Sequence, residues 1–392
     1  MTSRCNRFHI VALALVLATL PFQPGGQAAA GQQAGAATAG SEVWKRAAPG
    51  RPIVLPADHA SHPQYKLEWW YYTGNLDAAD GRRFGFQLTF FRVGVDPAPT
   101  NPSRWAVRDL FMTHLAVTDV NGRRLLFSER LNRGGPGWAG AETDRYRVWN
   151  EDWSASLDGG LHRLRAFGTS TRPTPVPFGL DLTLTESTAV MLHGDRGYSQ
   201  KGSDPGNASH YYSLPMMKTT GSLTVDGRTV PVTGLSWMDH EFGTSFLEPS
   251  QIGWDWFSVQ LEDGRSLMLY RFRRSDGAAD PRSSGTLLES DGRVSRIDLA
   301  AARFEPARTW TSAAGGARYP VAWRVALPAQ RIEFEVTPVL DDQELKTSGS
   351  TGVTYWEGAI DVTGTSSGRP IKGRGYLEMT GYSGGPMSNY LR

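Results

Sequence analysis

Nearly every apolar run in this chain alternates with a period of two. FGFQLTFFRV (84–93), THLAVTDV (113–120), FGLDLTLTE (178–186), GSLTVDG (221–227), WFSVQLEDG (256–264) and IEFEVTPV (332–339) each send successive side chains to opposite faces, as half-buried strands do. Asn121-Gly122, Asp226-Gly227, Asp263-Gly264 and Asp291-Gly292 punctuate them with hairpin-turn chemistry. Beyond the N-terminal segment no apolar stretch carries a strong 3.6-residue period. Many short strands with even turn spacing close into sandwiches or barrels, so the fold class read from the sequence is all-β.

The N-terminal segment breaks the pattern. MTSRCNRFH supplies Arg4 and Arg7, IVALALVLATL is an apolar run, and QAAAGQQAGAA follows with small residues. That order marks a secretory signal peptide over residues 1–30, with cleavage expected after Ala30. The apolar run is shorter than the ~20 residues a bilayer crossing requires. The only cysteine, Cys5, lies inside it, so the mature chain is expected to hold neither disulfide nor thiolate metal site. Of 41 basic residues Arg4 and Arg7 leave with the peptide, so 39 basic face 39 acidic ones. A neutral balance argues against nucleic acid and against simple electrostatic membrane binding. A periplasmic or secreted monomer is expected, meeting membrane or export machinery only transiently.

Residues 31–52 are rich in Gly, Ala and Gln and read as a flexible lead-in. At ~150 residues per domain, the remainder suggests two domains. An internal echo supports this. Glu68-Trp69-Trp70 runs on to Asp80-Gly81-Arg82, and Asp255-Trp256-Phe257 runs on to Asp263-Gly264-Arg265. The expected boundaries are 53–215 and 216–392.

Two stretches concentrate chemistry. In YKLEWWYYTGNL (65–76), alternation puts Glu68, Trp70 and Tyr72 on one face and Leu67, Trp69 and Tyr71 on the other. A carboxyl group desolvated among rings has a raised pKa and can donate a proton. A carboxylate paired with an arginine would be structural instead, and both readings stand. In LSWMDHEFG (235–243), Asp239 and Glu241 share one face and His240 takes the other. His240 titrates near neutrality and is the strongest general acid or base candidate, the alternative being a histidine that orders a loop. His62 and His114 complete the set. No pair shows the local spacing of a metal motif, and there is no phosphate or dinucleotide fingerprint, so neither metal nor cofactor is expected. GYSGG (381–385) matches G-x-S-x-G in letters only, because Ser383 has no later histidine and no following helix.

Longer pieces carry a family resemblance: HPQYKLEWWYYTGNL (62–76), HLAVTD (114–119), VMLHGDRGYSQKG (190–202), SHYYSLP (209–215), GLSWMDHEFG (234–243), GWDWFSVQLEDG (253–264), YPVAWRVALP (319–328), DQEL (342–345), YWEGAIDVTG (355–364) and GRGYLEMTGY (373–382). In this order they resemble the AttH/CrtC family of two-domain lipocalin-like secreted proteins, which includes carotenoid 1,2-hydratases and members labelled secreted hydrolases. The resemblance implies two tandem lipocalin/calycin-like antiparallel β-barrels with an apolar ligand space in or between them. Hydratase members add water across an isoprenoid C=C bond without metal or organic cofactor. Protonation of the alkene, cation–π stabilisation of the carbocation and activation of water are the steps required.

The resemblance makes His240 the motif histidine, with Phe242 where hydratase-type members carry tryptophan. Tyr270 stands where those members present a Tyr-x-Asp acid, and Phe272 occupies the acid's position. Glu68 or Asp239 would then have to donate the proton. His240, Asp239, Glu68 and Tyr270 are accordingly the expected catalytic group. Trp69, Trp70, Tyr72, His114, Trp237, Trp254 and Trp256 are expected around a hydrophobic isoprenoid- or lipid-like ligand. A non-enzymatic lipid carrier or chaperone is the alternative. A secreted hydrolase is a second, although no nucleophile–base pair is visible.

Overall fold

Alternating residues become strands throughout the computed structural model, which describes residues 43–103, 105–171, 174–244 and 247–384. The expected signal peptide lies outside these residues. Among them there is no α-helix, only three short 3-10 turns, the first at Ala57–His59. The strands form one thirteen-stranded and one ten-stranded sheet. This is the expected all-β architecture of two lipocalin-like barrels, the first nearly closed and the second a half-barrel.

The first sheet runs from Arg124–Arg133 through Asp109–Asp119, Arg83–Gly94 and Leu67–Ala78 to Arg228–Gly243 and Ala208–Val225, then on through Val176–Thr185 and Leu161–Ser170. It curls until its far ends touch: Phe127 N donates to Ser170 Oγ at 3.2 Å and Asn132 Nδ2 to Asn150 Oδ1 at 2.8 Å. The second sheet starts at Gln251–Leu261 and closes its central run with Thr354–Ser366 and Arg369–Met379.

The boundary expected at 215/216 falls inside the long strand Ala208–Val225. That strand and Arg228–Gly243 both belong to the first sheet, so the chain changes sheet between Gly243 and Gln251. The Gly/Ser/Asp-rich stretch at 194–209 contributes the short strand Tyr198–Gln200, paired to Ala208–Val225. The later half of the lead-in is also packed. Lys45 N donates to Gln64 O at 2.8 Å, and Ala47 is buried with Tyr198 and Ala208.

Three apolar clusters follow from the alternation. Trp70, Tyr72, Phe84, Phe86 and Phe90 fill the first barrel, and Phe257, Trp323, Trp356 and Leu377 fill the second. Tyr71, Trp237, Trp256, Tyr270, Phe272 and Tyr376 pack in the seam between the sheets.

The internal echo is a structural one. Glu68 lies opposite Arg92 on its neighbouring strand and Asp255 lies opposite Arg271 on its own. Glu68 bonds Arg92 Nε at 3.0 Å, and Asp255 lies 3.6 Å from Arg271 and 3.3 Å from Arg273. In each copy the next aromatic, Trp69 or Trp256, turns to the seam, and the one after it, Trp70 or Phe257, enters its own barrel's core.

Candidate functional site

The two seam-facing walls do not meet everywhere. They leave a cavity of about 180 Å³, well above the ~10–15 Å³ one water needs. Trp69, Tyr71, Phe91 and Tyr211 line it from the first barrel, and Trp254, Trp256, Tyr270, Phe272 and Tyr355 from the second. Period-two alternation explains the lining: Trp254 and Trp256 are two residues apart, lie opposite Phe272 and Tyr270, and so share one face with them.

Besides Glu68, four acids stand in this aromatic wall: Asp239 and Glu241 from the first barrel, Glu357 and Glu378 from the second. Glu357 and Glu378 are directly opposite each other on adjacent strands. Burial drives the carboxyls of this pair upward, and their mutual repulsion adds to it in Glu357. Tyr71 donates to Glu357 Oε1 at 2.7 Å, while Oε2 is buried without a partner. Such an oxygen suits a protonated carboxyl whose O–H is available to a ligand.

Asp239 is pushed up to about 7 by burial, although Ser213, Tyr211 and Trp237 all donate to it and oppose the shift. Tyr211 OH donates to Asp239 Oδ2 at 2.6 Å and accepts from Trp256 Nε1 at 3.0 Å, which ties the two barrels at the cavity. Glu241 is compensated differently, by Lys201 Nζ at 2.9 Å and the Ser209 hydroxyl. The Lys201 ammonium also sits 4.9 and 4.6 Å from the Tyr211 and Tyr270 ring centres.

Of the residues singled out from sequence, Asp239, Glu68, Tyr270, Trp69, His114, Trp254 and Trp256 line the cavity. His240, Trp70, Tyr72 and Trp237 do not. Trp70 and Tyr72 point into the first barrel because they alternate with Trp69 and Tyr71. Trp237 lies behind the wall, donating to Asp239 Oδ1 at 2.6 Å.

His240 alternates with Asp239 and so faces the barrel interior. Its Nε2 lies 3.0 Å from Glu68 Oε1 and its Nδ1 3.1 Å from Tyr212 OH. Burial lowers it to about 4, against the bond to Glu68, so at neutral pH it is an uncharged internal group. That placement corrects the expectation that it leads the chemistry.

Glu68 is likewise corrected as a proton donor. Although it borders the cavity, its carboxylate accepts from Ser61 Oγ at 2.8 Å, from His62 N at 2.9 Å and from Arg92 Nε at 3.0 Å, with His62 Nδ1 at 2.9 Å and His240 Nε2 at 3.0 Å. Burial alone would raise its pKa, but Arg92 and the two histidines hold it well below the ordinary value. His62 in turn bridges Glu68 and Asp58; these bonds overcome burial and raise its pKa. His114 is a cross-seam support, with Nδ1 2.8 Å from Tyr355 OH and Nε2 2.8 Å from Ser350 Oγ. Burial drives it down to about 3.

Sequence reasoning did not single out Glu357, Glu378, Lys201, Tyr71 or Tyr211. The signal was present in part: YWEG and YLEM each set an acid within an aromatic strand, as YKLEWW does. What was missing was the register that places Glu357 against Glu378.

A family profile described as AttH-like matches residues 46–382. A crystal structure assigned as an AttH from Nitrosomonas europaea is 35% identical, covers 86% of this chain and 99% of its own, and superposes with a TM-score of 0.77. The crystal structure of kievitone hydratase from Nectria haematococca shares the fold at 17% identity, with 88% and 97% of the two chains covered and a TM-score of 0.65. Among curated proteins none matches the sequence.

Proposed function

The chain belongs to the AttH-like family, and from that premise we propose that it is an exported protein that binds a hydrophobic, isoprenoid- or lipid-like molecule in the seam cavity and adds water across a C=C bond. One observation carries the reading: Glu357, buried and facing Glu378 across adjacent strands, has its Oε2 unpartnered at the wall of an aromatic cavity. Two carboxyls that cannot both ionise retain a proton at neutral pH, and that proton is the one an alkene needs. In the proposed step, Glu357 gives its proton to one alkene carbon, and the π electrons form the new C–H bond. The cation left on the other carbon is faced by Trp69, Trp254 and Trp256. Water adds its oxygen there, and its surplus proton passes through Tyr211 to Asp239 as the base. Phe272, where the resemblance calls for an aspartate, lines the same cavity, so Glu357, from a strand further round the same sheet, takes over the donor's part. Kievitone hydratase has the same two-barrel fold, so the fold is compatible with hydration.

A carrier would use the same rings without turnover. The two readings separate in one experiment. Lipid extracted from the protein isolated from its native host is identified by mass spectrometry and returned to purified protein in 18O-labelled water. Uptake of one labelled oxygen, lost in Glu357→Gln while a hydrophobic fluorophore still binds, is the expected result. Bound lipid that never gains oxygen would leave the carrier; no lipid and no fluorophore binding would remove both.

A further inference from the structure

A second cluster of polar groups lies inside the first barrel, apart from the seam cavity. His59 comes from the 3-10 turn Ala57–His59, His162 from the strand Leu161–Ser170, and Glu186 from just past the strand Val176–Thr185. One nitrogen from each histidine and one carboxylate oxygen lie within 4.8 Å of one another, and His59 Nε2 is 2.8 Å from Glu186 Oε1. Both imidazoles are 0% exposed. The other nitrogen of each ring is held by a tyrosine: His59 Nδ1 lies 2.6 Å from Tyr212 OH, and His162 Nδ1 lies 2.9 Å from Tyr72 OH. His162 Nε2 is buried and has no hydrogen-bond partner.

We propose that His59, His162 and Glu186 form a binding site for a divalent first-row transition metal, zinc foremost. Two imidazoles and one carboxylate are a ligand set that zinc takes, with a fourth position left for water. Ligands at 2.0–2.1 Å around a tetrahedral ion stand about 3.3 Å apart, which the spread of these three atoms permits with small side-chain movements. A hydrogen bond on the outer nitrogen of each histidine is the support that metal-bound imidazoles have. The orphaned His162 nitrogen is the decisive feature, since buried polar atoms are nearly always satisfied. Glu186, with its side chain 26% exposed, gives an ion a way in from solvent.

The trio His62, Glu68 and His240 is as closely gathered, yet it does not qualify. There the Arg92 guanidinium already supplies the cation, and Ser61 and the His62 backbone also donate to the carboxylate. Sequence spacing pointed to no metal because the three proposed ligands come from three separate elements.

Untagged full-length protein, stripped with a chelator and dialysed, tests this with Zn2+ and Co2+. One ion per chain is expected by calorimetry, with a visible Co2+ d–d spectrum of low coordination number and a rise in Tm on Zn2+ addition. His162→Ala and Glu186→Gln should each weaken binding by more than about 100-fold, and Tyr72→Phe by about 10–100-fold, the range for loss of an outer-shell partner. Glu186 is partly exposed, so its variant keeps the test open should His162→Ala not fold, with far-UV circular dichroism as the check. Absence of saturable binding, or unchanged affinity in Glu186→Gln, overturns the site.

Discussion

At the scale of single residues the carboxyl groups divide by their surroundings. Asp239 has a folded-state pKa above its unfolded one, so the folded chain holds a proton that the unfolded chain releases. Stability from this source therefore falls as pH rises from 3.8 to about 7 and is level beyond. The total loss over this interval is about 4 kcal/mol at most, at ~1.4 kcal/mol per pH unit. Asp239→Asn should flatten this part of the Tm–pH profile; an unchanged profile would mean that Asp239 is ionised throughout. Glu68 is the opposite case. Its lowered pKa contributes stability present above the ordinary value of 4.5 and lost as pH falls toward the folded pKa. Glu68→Gln leaves the buried Arg92 with Asp109, 2.8 Å away, as its remaining counter-charge and should cost at most roughly 3–5 kcal/mol, read as a lower urea midpoint. The question posed by the acid in YKLEWWYYTGNL is thus answered on the structural side: Glu68 is a clamp.

At the scale of strands, alternation was fully legible. It placed Glu68, Trp70 and Tyr72 together, and it set His240 apart from Asp239, as the structure does. It could not tell which face meets the second barrel. Trp69 and Trp70 are equally apolar, and both faces of this strand are buried, so pattern gives no polarity. His240 was favoured for its intrinsic pKa, and only its packing shows that it is internal. Close approach of strands was equally invisible. A Cβ on Gly85 would come within 2.7 Å of Ala359 Cβ and of Tyr376 Oη in the other barrel. Gly85→Val should therefore wedge the seam, costing ~1–3 kcal/mol, and weaken fluorophore binding. Unaltered binding and stability would show that the sheets can slide apart freely there.

For the molecule as a whole, the seam is held by side chains more than by chain continuity. Arg83 pairs with Asp361 at 2.7 Å, Asn75 Nδ2 donates to Gly375 O at 3.1 Å, Thr118 Oγ1 to Gln343 at 2.8 Å, and His193 meets Thr286 at 2.8 Å. Between them lies the apolar cluster around Tyr71, Trp256 and Tyr376. An interface of that make-up has the character of one between permanent subunits. Among the described residues, no strand of either sheet pairs into the other, and the chain passes from one to the other once, between Gly243 and Gln251. The protein is in this sense a heterodimer whose halves happen to be translated together. Cutting it at a protease site introduced in that crossing should yield two fragments that co-elute on size exclusion and still bind fluorophore, whereas fragments that part would make the peptide link itself the fastener.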